Sequence, residues 1–404
     1  MMGADSPFAV GAETAGTAET PQASDRNSTI EALESPKSIA AEVSTRIKGF
    51  LESKAAEFLT ISPDAHDIGR ALLDFTRGGK MIRPVLLWWG YQLAAGDDPS
   101  RDSSTGGVAE AAGSLELLHA AALIHDDVID HSDTRRGKPA LHRQFESHHA
   151  ERSYQGGAEP FGIAAAIVVG DICLALSEEL FERSQTVLGI TPLARDLRAT
   201  LRRDVMVGQY LDVLAEVVPL EDERIGERAW EVLSYKSAKY SVEQPLLLGA
   251  ALGGADEEQL AEISKFGLPL GQAFQLRDDV LGIFGDPAAT GKPAGDDIRE
   301  GKRTVLIAES MKNLRPEQVQ VMAERLGDPN LSDDEVDECV VMLTESGGLD
   351  AVESFIRTKY DEALSVVHEW ADKGAHADTT RTTIGAAAQR QLEGFAESLS
   401  YRTS

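Results

Sequence analysis

Two pairs of adjacent aspartates, each set in an apolar segment, are the residues of this chain best suited to chemistry. Asp126-Asp127 is followed by Asp130, and a second pair, Asp278-Asp279, comes about 150 residues later. On a helix, Asp126 and Asp130 share one face because they are four residues apart. Carboxylates grouped in this way repel each other and lose hydration unless cations lie between them. Such oxygen-rich sites suit Mg²⁺, which keeps several waters and completes its shell with substrate phosphates.

Basic residues follow each aspartate pair closely. Arg135-Arg136 come after the first pair, and Lys292 and Lys302 lie in a loop rich in Gly and Pro after the second. Guanidinium and ammonium groups of this kind bind phosphate oxygens. Gln275 lies three residues before Asp278, on the same predicted helical face. We interpret the two acidic clusters and their basic neighbours as a site for chemistry on a diphosphate.

A glycine turn provides a second predicted anion site. Gly78-Gly79 breaks one helix, and Lys80 and Arg83 lie a turn apart at the start of the next, where backbone N–H groups can bind an anion. These two residues and His119 would form one basic pocket if the two helices are neighbours. Lys236 interrupts an otherwise apolar helical pattern, and burying it is costly unless its ammonium contacts an anion.

The elements that must position these residues are predicted to be helical nearly throughout. Apolar residues recur every four positions from Ile39 to Leu51, and strand-like alternation is essentially missing. The pattern predicts helices over residues 108–130, 163–188, 192–217, 227–249, 259–284, 304–313 and 333–343, with a last pair from 348 to the end. Residues 141–162 contain Gly156-Gly157 and Pro160 and are predicted to be a loop. We predict an all-α fold, a single large bundle of long, mostly antiparallel helices around a central cavity.

Composition excludes several classes of function. The 404 residues carry a net charge of −28, which argues against nucleic-acid binding and against binding to anionic membranes. The two cysteines, Cys173 and Cys339, form no Cys-x-x-Cys pattern, so a reducing cytoplasm is expected. Residues 1–38 have little apolar periodicity and are predicted to be a disordered leader to a helical domain over 39–404. The longest apolar stretch, near residues 163–169, is far shorter than the ~20 residues of a membrane span, so no stable membrane anchor is predicted.

Several motifs occur together in a characteristic order. They are Gly-Gly-Lys-Met-Ile-Arg-Pro at 78–84, Leu117-Leu118-His119, Asp-Asp-Val-Ile-Asp at 126–130 with Arg-Arg-Gly after it, Lys236-Ser237, and Phe-Gln-Leu-Arg-Asp-Asp at 274–279. As a set they resemble the trans-isoprenyl diphosphate (polyprenyl) synthases, with spacing close to that of bacterial geranylgeranyl diphosphate synthases, from about residue 39 to the C-terminus. The resemblance implies the isoprenoid synthase fold, a homodimer, prenyl diphosphate substrates and about three Mg²⁺ ions in each site.

The resemblance also assigns roles to individual residues. It implies metal ligands at Asp126, Asp130 and Asp278, which with Lys236 are the catalytic group. It implies that the allylic diphosphate is bound by Arg135, Lys236, Ser237, Gln275, Lys292 and Lys302. It implies that isopentenyl diphosphate is bound by Lys80, Arg83, His119 and Arg136.

Three positions depart from the family pattern. Met81 replaces the usual arginine of the glycine motif, with Lys80 and Arg83 still flanking it. Ser237 replaces the usual threonine and keeps the hydroxyl. Gly282 stands where the second motif normally has its last aspartate, which removes one metal or water contact.

Product length is predicted from the residues below the first motif. Ala121 and Ala122 lie five and four positions before Asp126, one helical turn below the expected metal. Small residues there leave an apolar pocket open, so a product longer than C15 is expected, and the resemblance suggests geranylgeranyl diphosphate (C20).

Five alternatives stay open at the sequence level. The chain could make farnesyl diphosphate or a longer polyprenyl diphosphate, or be a non-catalytic subunit of a heteromeric prenyl synthase. A class I terpene cyclase also uses an Asp-Asp-x-x-Asp helix, although Asp278-Asp279 stands where those enzymes carry an Asn/Ser/Glu motif. A purely structural helical bundle would have no use for the basic pocket.

Overall fold

The described chain begins with a long helix whose packing follows the four-residue repeat. A computed structural model describes residues 35–96, 104–285, 295–376 and 386–400. Helix α1 (Pro36–Ile61) starts at a proline, and the Ser35 side chain accepts a hydrogen bond from the Ser38 amide. The four predicted apolar positions from Ile39 to Leu51 are all buried. The predicted leader lies outside the described residues up to residue 34, and its last residues belong to α1.

Helices continue along the described chain. The first half contains α2 (His66–Phe75), α3 (Ile82–Ala95), α4 (Thr105–Ile129), α5 (Leu141–Glu151), α6 (Ala158–Leu188) and α7 (Pro192–Val217). The second half contains α8 (Ile225–Val232), a π-helical segment (Leu233–Glu243), α9 (Gln244–Leu252), α10 (Glu257–Phe284), α11 (Asp296–Arg299), α12 (Val305–Met311), α13 (Pro316–Arg325), α14 (Asp333–Glu345), α15 (Gly348–His376) and α16 (Ala386–Ser400). Two-residue strands, β1 (Thr134–Arg135) and β2 (Lys138–Pro139), form an antiparallel pair in which Thr134 is opposite Pro139. The predicted all-α fold is confirmed.

The prediction of a loop over residues 141–162 is wrong. The structure has helix α5 in this segment, and α6 begins before Pro160. Leu141, Phe145 and His149 recur every four residues and are buried, which gives α5 an inward face. Pro160 lies in the first turn of α6, where the missing amide hydrogen breaks no helical hydrogen bond. Helix α13, which begins at Pro316, is a second helix that the periodicity did not predict.

Helix α4 lies in the larger hydrophobic core and is buried along most of its length. It packs closely on α6, and small residues allow the approach: a Cβ on Gly113 would lie 3.2 Å from Leu180, and one on Gly170 would lie 2.1 Å from His125 Nε2. These two contacts show that α4 and α6 run antiparallel. A second core cluster joins the last turns of α10 to α12, α14 and α15. The larger core therefore positions the helix that carries the first aspartate pair, and the second core cluster positions the end of the helix that carries the second pair.

Helix α7 is placed differently from its neighbours. It packs closely on the π-helical segment and on α9, whereas its backbone scarcely approaches α4 or α6. Long side chains connect the helices: Gln209 Nε2 donates to Asp126 Oδ1 of α4 at 3.0 Å, and Arg198 Nη2 donates to Glu178 Oε1 of α6 at 2.9 Å. Helix α7 is therefore joined to α4 and α6 by polar side chains.

Helices α4 and α6 are long and apolar enough to cross a membrane, judged by length and composition alone. The apolar window of α4 is 78% buried within the bundle and that of α6 is 39% buried. Core helices commonly pass this test, and α4 is one of them. The more exposed face of α6 has a different role, proposed below.

Candidate active site

The first aspartate cluster lies where the end of α4 meets α7 and the π-helical segment. Asp126 Oδ1 accepts hydrogen bonds from Gln209 Nε2 at 3.0 Å and from Lys236 Nζ at 3.1 Å. The Lys236 ammonium also pairs with Asp212 of α7. Burial acts to raise the pKa of Asp126, but Lys236 and Lys302 outweigh it and lower the pKa below its ordinary value. The buried lysine predicted from the apolar pattern thus has two anionic partners.

The π-helical segment brings Lys236 to this cluster. Its wider i→i+5 turns begin at Leu233 and end at Glu243. A Cβ on Gly208 of α7 would lie 2.4 Å from the Lys236 amide nitrogen, so a glycine is needed for the two backbones to approach. Ser237 is half-buried beside Lys236.

Lys302 joins the two acidic clusters. Its Nζ lies 3.8 Å from Asp130 Oδ2 and 3.8 Å from Asp297 Oδ1, and it also pairs with Glu300. The carboxylates of Asp130 and Asp297 are therefore at most twice that distance apart. Asp297 in turn lies close enough to the second aspartate pair to raise the pKa of Asp278. The two clusters face each other across one ammonium group.

Three carboxylates of the two clusters have strongly raised pKa values in the protein alone. Burial, and then repulsion from Asp126, raise the pKa of Asp130 to about 7. Burial, and then Asp297, raise the pKa of Asp278 to about 7. Burial raises the pKa of Asp279 to about 8, although Gln275 Nε2 donates to Asp279 Oδ1 at 2.8 Å. A divalent cation would relieve this concentration of negative charge.

The structure gives a reason for Gly282. A Cβ at this position would lie 2.1 Å from Asp297 Oδ2, so the Asp297 carboxylate occupies the space that a side chain at 282 would need. Asp297 comes from the short helix α11, fifteen residues further along the chain. The second cluster therefore keeps a third carboxylate beside Asp278 and Asp279, supplied by a different element.

The start of α3 forms a cationic pocket with α4 and the π-helical segment. Arg83 Nη2 donates to Ser241 Oγ at 2.7 Å, and its guanidinium lies 4.3 Å from the centre of the Tyr240 ring. The His119 ring centre is 6.2 Å from that of Tyr240. Burial, and then the charge of Arg83, hold the pKa of His119 well below its usual range, so the imidazole is neutral at pH 7. Arg83 Nε and His119 Nδ1 are buried without a hydrogen-bond partner in the described part of the chain.

Arg135 and Arg136 point to different partners. Arg135 Nε donates to Oδ1 of the fully buried Asp127 at 2.8 Å. Arg136, which has a left-handed φ of 54°, donates to the Gly78 carbonyl at 3.4 Å. Gly79 has a φ of 102°, and a Cβ there would lie 2.9 Å from Arg136 Nη2, so this turn requires glycine. A cleft of about 600 Å³ opens beside both arginines.

The other predicted residues fall into three groups. Lys80 is exposed in the turn before α3. Ala121 is fully buried and Ala122 is half-buried on α4 below Asp126. Lys292 lies outside the described residues.

Sequence reasoning gave Asp127 no role of its own and missed Asp297, Gln209 and Asp212. Asp127 and Asp297 pair with Arg135 and Lys302, and Gln209 and Asp212 contact the Asp126–Lys236 pair. Gln209 and Asp212 are three residues apart on α7, directly after Gly208, and this spacing is the signal that could have found them. Nothing local distinguishes Asp297 from the acidic residues around it.

The fold is an all-helical bundle in which two clusters of carboxylates face each other. Beside them lies a cationic pocket in which Arg83 and His119 each have a buried nitrogen without a hydrogen-bond partner among the described residues. Together these features define a class of protein. A family model described as polyprenyl synthetase matches residues 67–343. The chain belongs to the polyprenyl synthetase family and has the isoprenoid synthase fold.

Relatives of known name agree with this assignment. A short chain isoprenyl diphosphate synthase of Methanocaldococcus jannaschii is 31% identical over 67% of this chain and 73% of its own length. A geranylgeranyl diphosphate synthase of Saccharolobus solfataricus is 31% identical over 72% of this chain and 77% of its own. A crystal structure of geranylgeranyl pyrophosphate synthase from Corynebacterium glutamicum, complexed with isoprenyl diphosphate and magnesium, superposes with a TM-score of 0.80 at 35% identity, covering 90% of this chain and 98% of that one. The chain is thus an enzyme of the isoprenyl diphosphate synthase type, and the terpene-cyclase and purely structural alternatives lose their support.

Proposed function

We propose that this protein is a Mg²⁺-dependent prenyltransferase that condenses isopentenyl diphosphate with an allylic diphosphate, with geranylgeranyl diphosphate (C20) as its main product. The observation that carries the proposal is the pair of carboxylate clusters held on either side of Lys302. Next to them, Arg83 and His119 each present a buried nitrogen without a partner among the described residues. One diphosphate fits between the acidic clusters and the other fits the cationic pocket.

The residues of the acidic clusters fit Mg²⁺. Asp126, Asp130 and Asp278 offer the hard oxygen ligands that this ion prefers. Within the described residues, no three His, Cys, Asp or Glu side chains are already grouped to hold an ion, so diphosphate oxygens and waters would complete each shell. We expect about three ions. When bound, they would neutralise charge on the leaving diphosphate and so weaken the allylic C–O bond.

The side chains of the protein would bind and orient the two substrates. Lys236 and Lys302 would hold the allylic diphosphate, and Arg83 and Arg136 would hold isopentenyl diphosphate. The C=C bond of isopentenyl diphosphate attacks the allylic carbon as its C–O bond breaks, and the electron pair of that bond leaves with the diphosphate. The leaving diphosphate then accepts the proton lost from the new prenyl unit. No side-chain nucleophile is needed, and burial of the site excludes water that would quench the cation.

Small residues on α4 support a product longer than C15. Ala121 is fully buried on the side of α4 that faces α6, and Ala122 adds little volume beneath Asp126. We expect Ala121→Phe to shorten the main product by at least one C5 unit, because the ring would fill the space below the first cluster. The dephosphorylated products are sized by chromatography. An unchanged product would show that Ala121 does not line the path of the growing chain.

The test of the proposed activity uses the purified chain alone. It is incubated with Mg²⁺, isopentenyl diphosphate and allylic starters, and the dephosphorylated products are sized. We expect C20 as the main product and a loss of roughly 10²-fold or more in kcat for Asp126→Asn. Glu52→Gln is the control, because its carboxylate is 55% exposed on α1 and pairs with the exposed Lys48 one turn away. A folded chain that makes no prenyl product would support the non-catalytic subunit instead.

We also infer that the protein is a homodimer in the cytoplasm. An apolar face is exposed along α6 and α7, formed by Ile167, Val168, Met206, Val207 and Tyr210. Exposed apolar patches of this kind mark protein interfaces. Both cysteines are buried and free, as expected in a reducing compartment.

A further inference from the structure

We propose that Arg303 is a positioning residue. It holds the segment that carries Lys302 against the C-terminal end of α7, and so fixes the place of the Lys302 ammonium between the two acidic clusters. The inference deepens the function proposed above and rests on it. It concerns a half-buried arginine that belongs neither to the acidic clusters nor to the predicted substrate contacts.

Lys302 and Arg303 lie in a short link, residues 302–304, between α11 and α12. On the α11 side, the Lys302 amide donates to the Asp297 carbonyl at 3.0 Å. Gly301 has a φ of 80°, and a Cβ there would lie 2.9 Å from Gly327 Cα, so the chain turns here in close contact with a neighbouring loop. Backbone contacts therefore fix the turn before the link, and the link itself needs a contact of its own.

The Arg303 side chain provides that contact by reaching α7. Its Nη2 donates to the Glu216 carbonyl at 3.3 Å. Glu216 is the last residue but one of α7, so its carbonyl has no partner within the helix and carries a partial negative charge. Nε and Nη1 of Arg303 are buried without a hydrogen-bond partner among the described residues. The cavity beside Arg303, of about 10 Å³, has room for about one water molecule, so the Glu216 carbonyl is the contact that holds this side chain.

The end of α7 that Arg303 contacts belongs to the proposed active site. Asp212 pairs with Lys236 beside the first cluster, and Glu216 follows Asp212 by four residues on the same face of α7. Burial, and then the charge of Asp212, raise the pKa of the Glu216 carboxyl, whereas Lys236 and Lys302 oppose this rise. The Glu216 side chain is thus close to the charged groups of the site, while its carbonyl oxygen binds Arg303.

Two consecutive residues therefore contact two sides of one site. Lys302 Nζ lies 3.8 Å from Asp130 Oδ2 and 3.8 Å from Asp297 Oδ1, and Arg303 holds the same link against α7. Because a lysine side chain is flexible, the place of its ammonium depends on a fixed backbone. A misplacement of about 1 Å can cost roughly 10²-fold in rate. Arg303 thus acts on the reaction through Lys302 and without touching a substrate.

The test compares Arg303→Met with Arg228→Met. Methionine keeps an unbranched stem and loses the donor to the Glu216 carbonyl. Arg228 is the matched control, because it lines the same small cavity but pairs with Asp222 at 2.6 Å, outside the link. For Arg303→Met we expect kcat to fall about tenfold and KM for the allylic diphosphate to rise about fivefold, with KM for isopentenyl diphosphate unchanged. We expect Arg228→Met to leave all three constants within about twofold of wild type.

A double variant shows whether Arg303 acts through Lys302. We expect Lys302→Met combined with Arg303→Met to have the kcat of Lys302→Met alone, because the lysine that Arg303 positions is already gone. Arg303→Lys keeps a donor for the Glu216 carbonyl and should recover most of the activity. If Arg303→Met does not fold, Arg303→Gln replaces it, since the glutamine side chain stays polar but is shorter than arginine.

Four results would overturn the role of Arg303. They are unchanged kinetics in the folded Arg303 variant, equal changes in the two KM values, an equally large effect of Arg228→Met, and a further fall of kcat in the double variant. A wild-type chain that makes no prenyl product would instead refute the proposed function.

Discussion

At the scale of single residues, the site depends on charged groups that are each shared between two partners. Lys236 holds Asp126 and Asp212 together, and Lys302 lies between Asp130 and Asp297. The two lysines lower the pKa of Asp126, and they partly offset the burial that raises the pKa of Asp130. Under the proposed function each ammonium also binds a diphosphate, so removing one lysine should affect both the acidic clusters and substrate binding.

Lys236→Met should leave Asp126 and Asp212 without their shared cation. We expect kcat to fall roughly 10²-fold, as for the loss of a preorganised charge that stabilises a transition state. Lys239→Met is the control, since Lys239 lies three residues further along the same segment with its Nζ 4.9 Å from the centre of the Tyr235 ring. The measurement is kcat from steady-state kinetics of both variants and the wild type. A folded Lys236→Met enzyme with kcat within threefold of wild type would exclude the proposed role.

The exchange between Gly282 and Asp297 can be tested in both directions. Gly282→Asp restores the family residue but places its Cβ within 2.1 Å of Asp297 Oδ2, so we expect a lower Tm and lower activity. Asp297→Gly should also lower activity, and the double variant should recover part of it. A double-mutant cycle should give a coupling free energy of at least about 1 kcal/mol.

Gly49→Asp on α1 is the control for this exchange, because no atom lies within 4 Å of a Cβ at that position. Additive effects of Gly282→Asp and Asp297→Gly would contradict the view that the two positions share one space.

At the scale of elements, the π-helical segment decides which groups meet. Its inner face presents Lys236 to the acidic cluster and Tyr240 and Ser241 to Arg83. Gly208 lets α7 approach this segment closely enough for Asp212 to reach Lys236. The two proposed diphosphate sites are therefore linked through one irregular stretch of helix.

Gly208→Ala should push α7 away from this segment. A Cβ there would lie 2.4 Å from the Lys236 amide nitrogen and 2.6 Å from the Tyr235 carbonyl carbon, so backbone atoms must move. We expect the free energy of unfolding to fall by about 1–3 kcal/mol and kcat to fall with it. The measurements are denaturant unfolding and steady-state kinetics. Gly226→Ala in α8 is the control, because a Cβ there meets nothing within 4 Å and should be neutral or stabilising.

At the scale of the whole molecule, α6 and α7 present an exposed apolar face. Val168 of α6 is 52% exposed and Tyr210 of α7 is 65% exposed. A second copy of the chain placed on this face would cover it.

Val207→Asp should therefore weaken the proposed dimer. A carboxylate on each copy would be buried without a partner, so we expect monomers at micromolar concentration where the wild type has twice the 43.4 kDa chain mass. Val341→Asp is the control, since Val341 is exposed to a similar extent on α14, away from this face. Light scattering after gel filtration gives the masses. A monomeric wild type, or a dimer unaffected by Val207→Asp, would contradict the assignment of this face.

The local patterns that predicted the fold also explain where the prediction failed. The prediction for α7 matched the structure to the residue at both ends, because Pro192 and a long apolar repeat mark that helix clearly. The failure over residues 141–162 came from giving Gly156-Gly157 and Pro160 more weight than the four-residue repeat of α5. Gly156 and Gly157 lie between α5 and α6, and Pro160 lies in the first turn of α6, so none of the three interrupts either helix.

By itself, the sequence determined the helical class, the two aspartate pairs, the cationic residues near them and the family, because these depend on residue types at short spacings. The tertiary structure decided which charges are partners. Asp127 pairs with Arg135, and the Asp297 carboxylate occupies the space beside Gly282. Arg198 of α7 pairs with Glu178 of α6. Such pairings join residues far apart in the chain, and they are set by the way the helices pack, which no local repeat encodes.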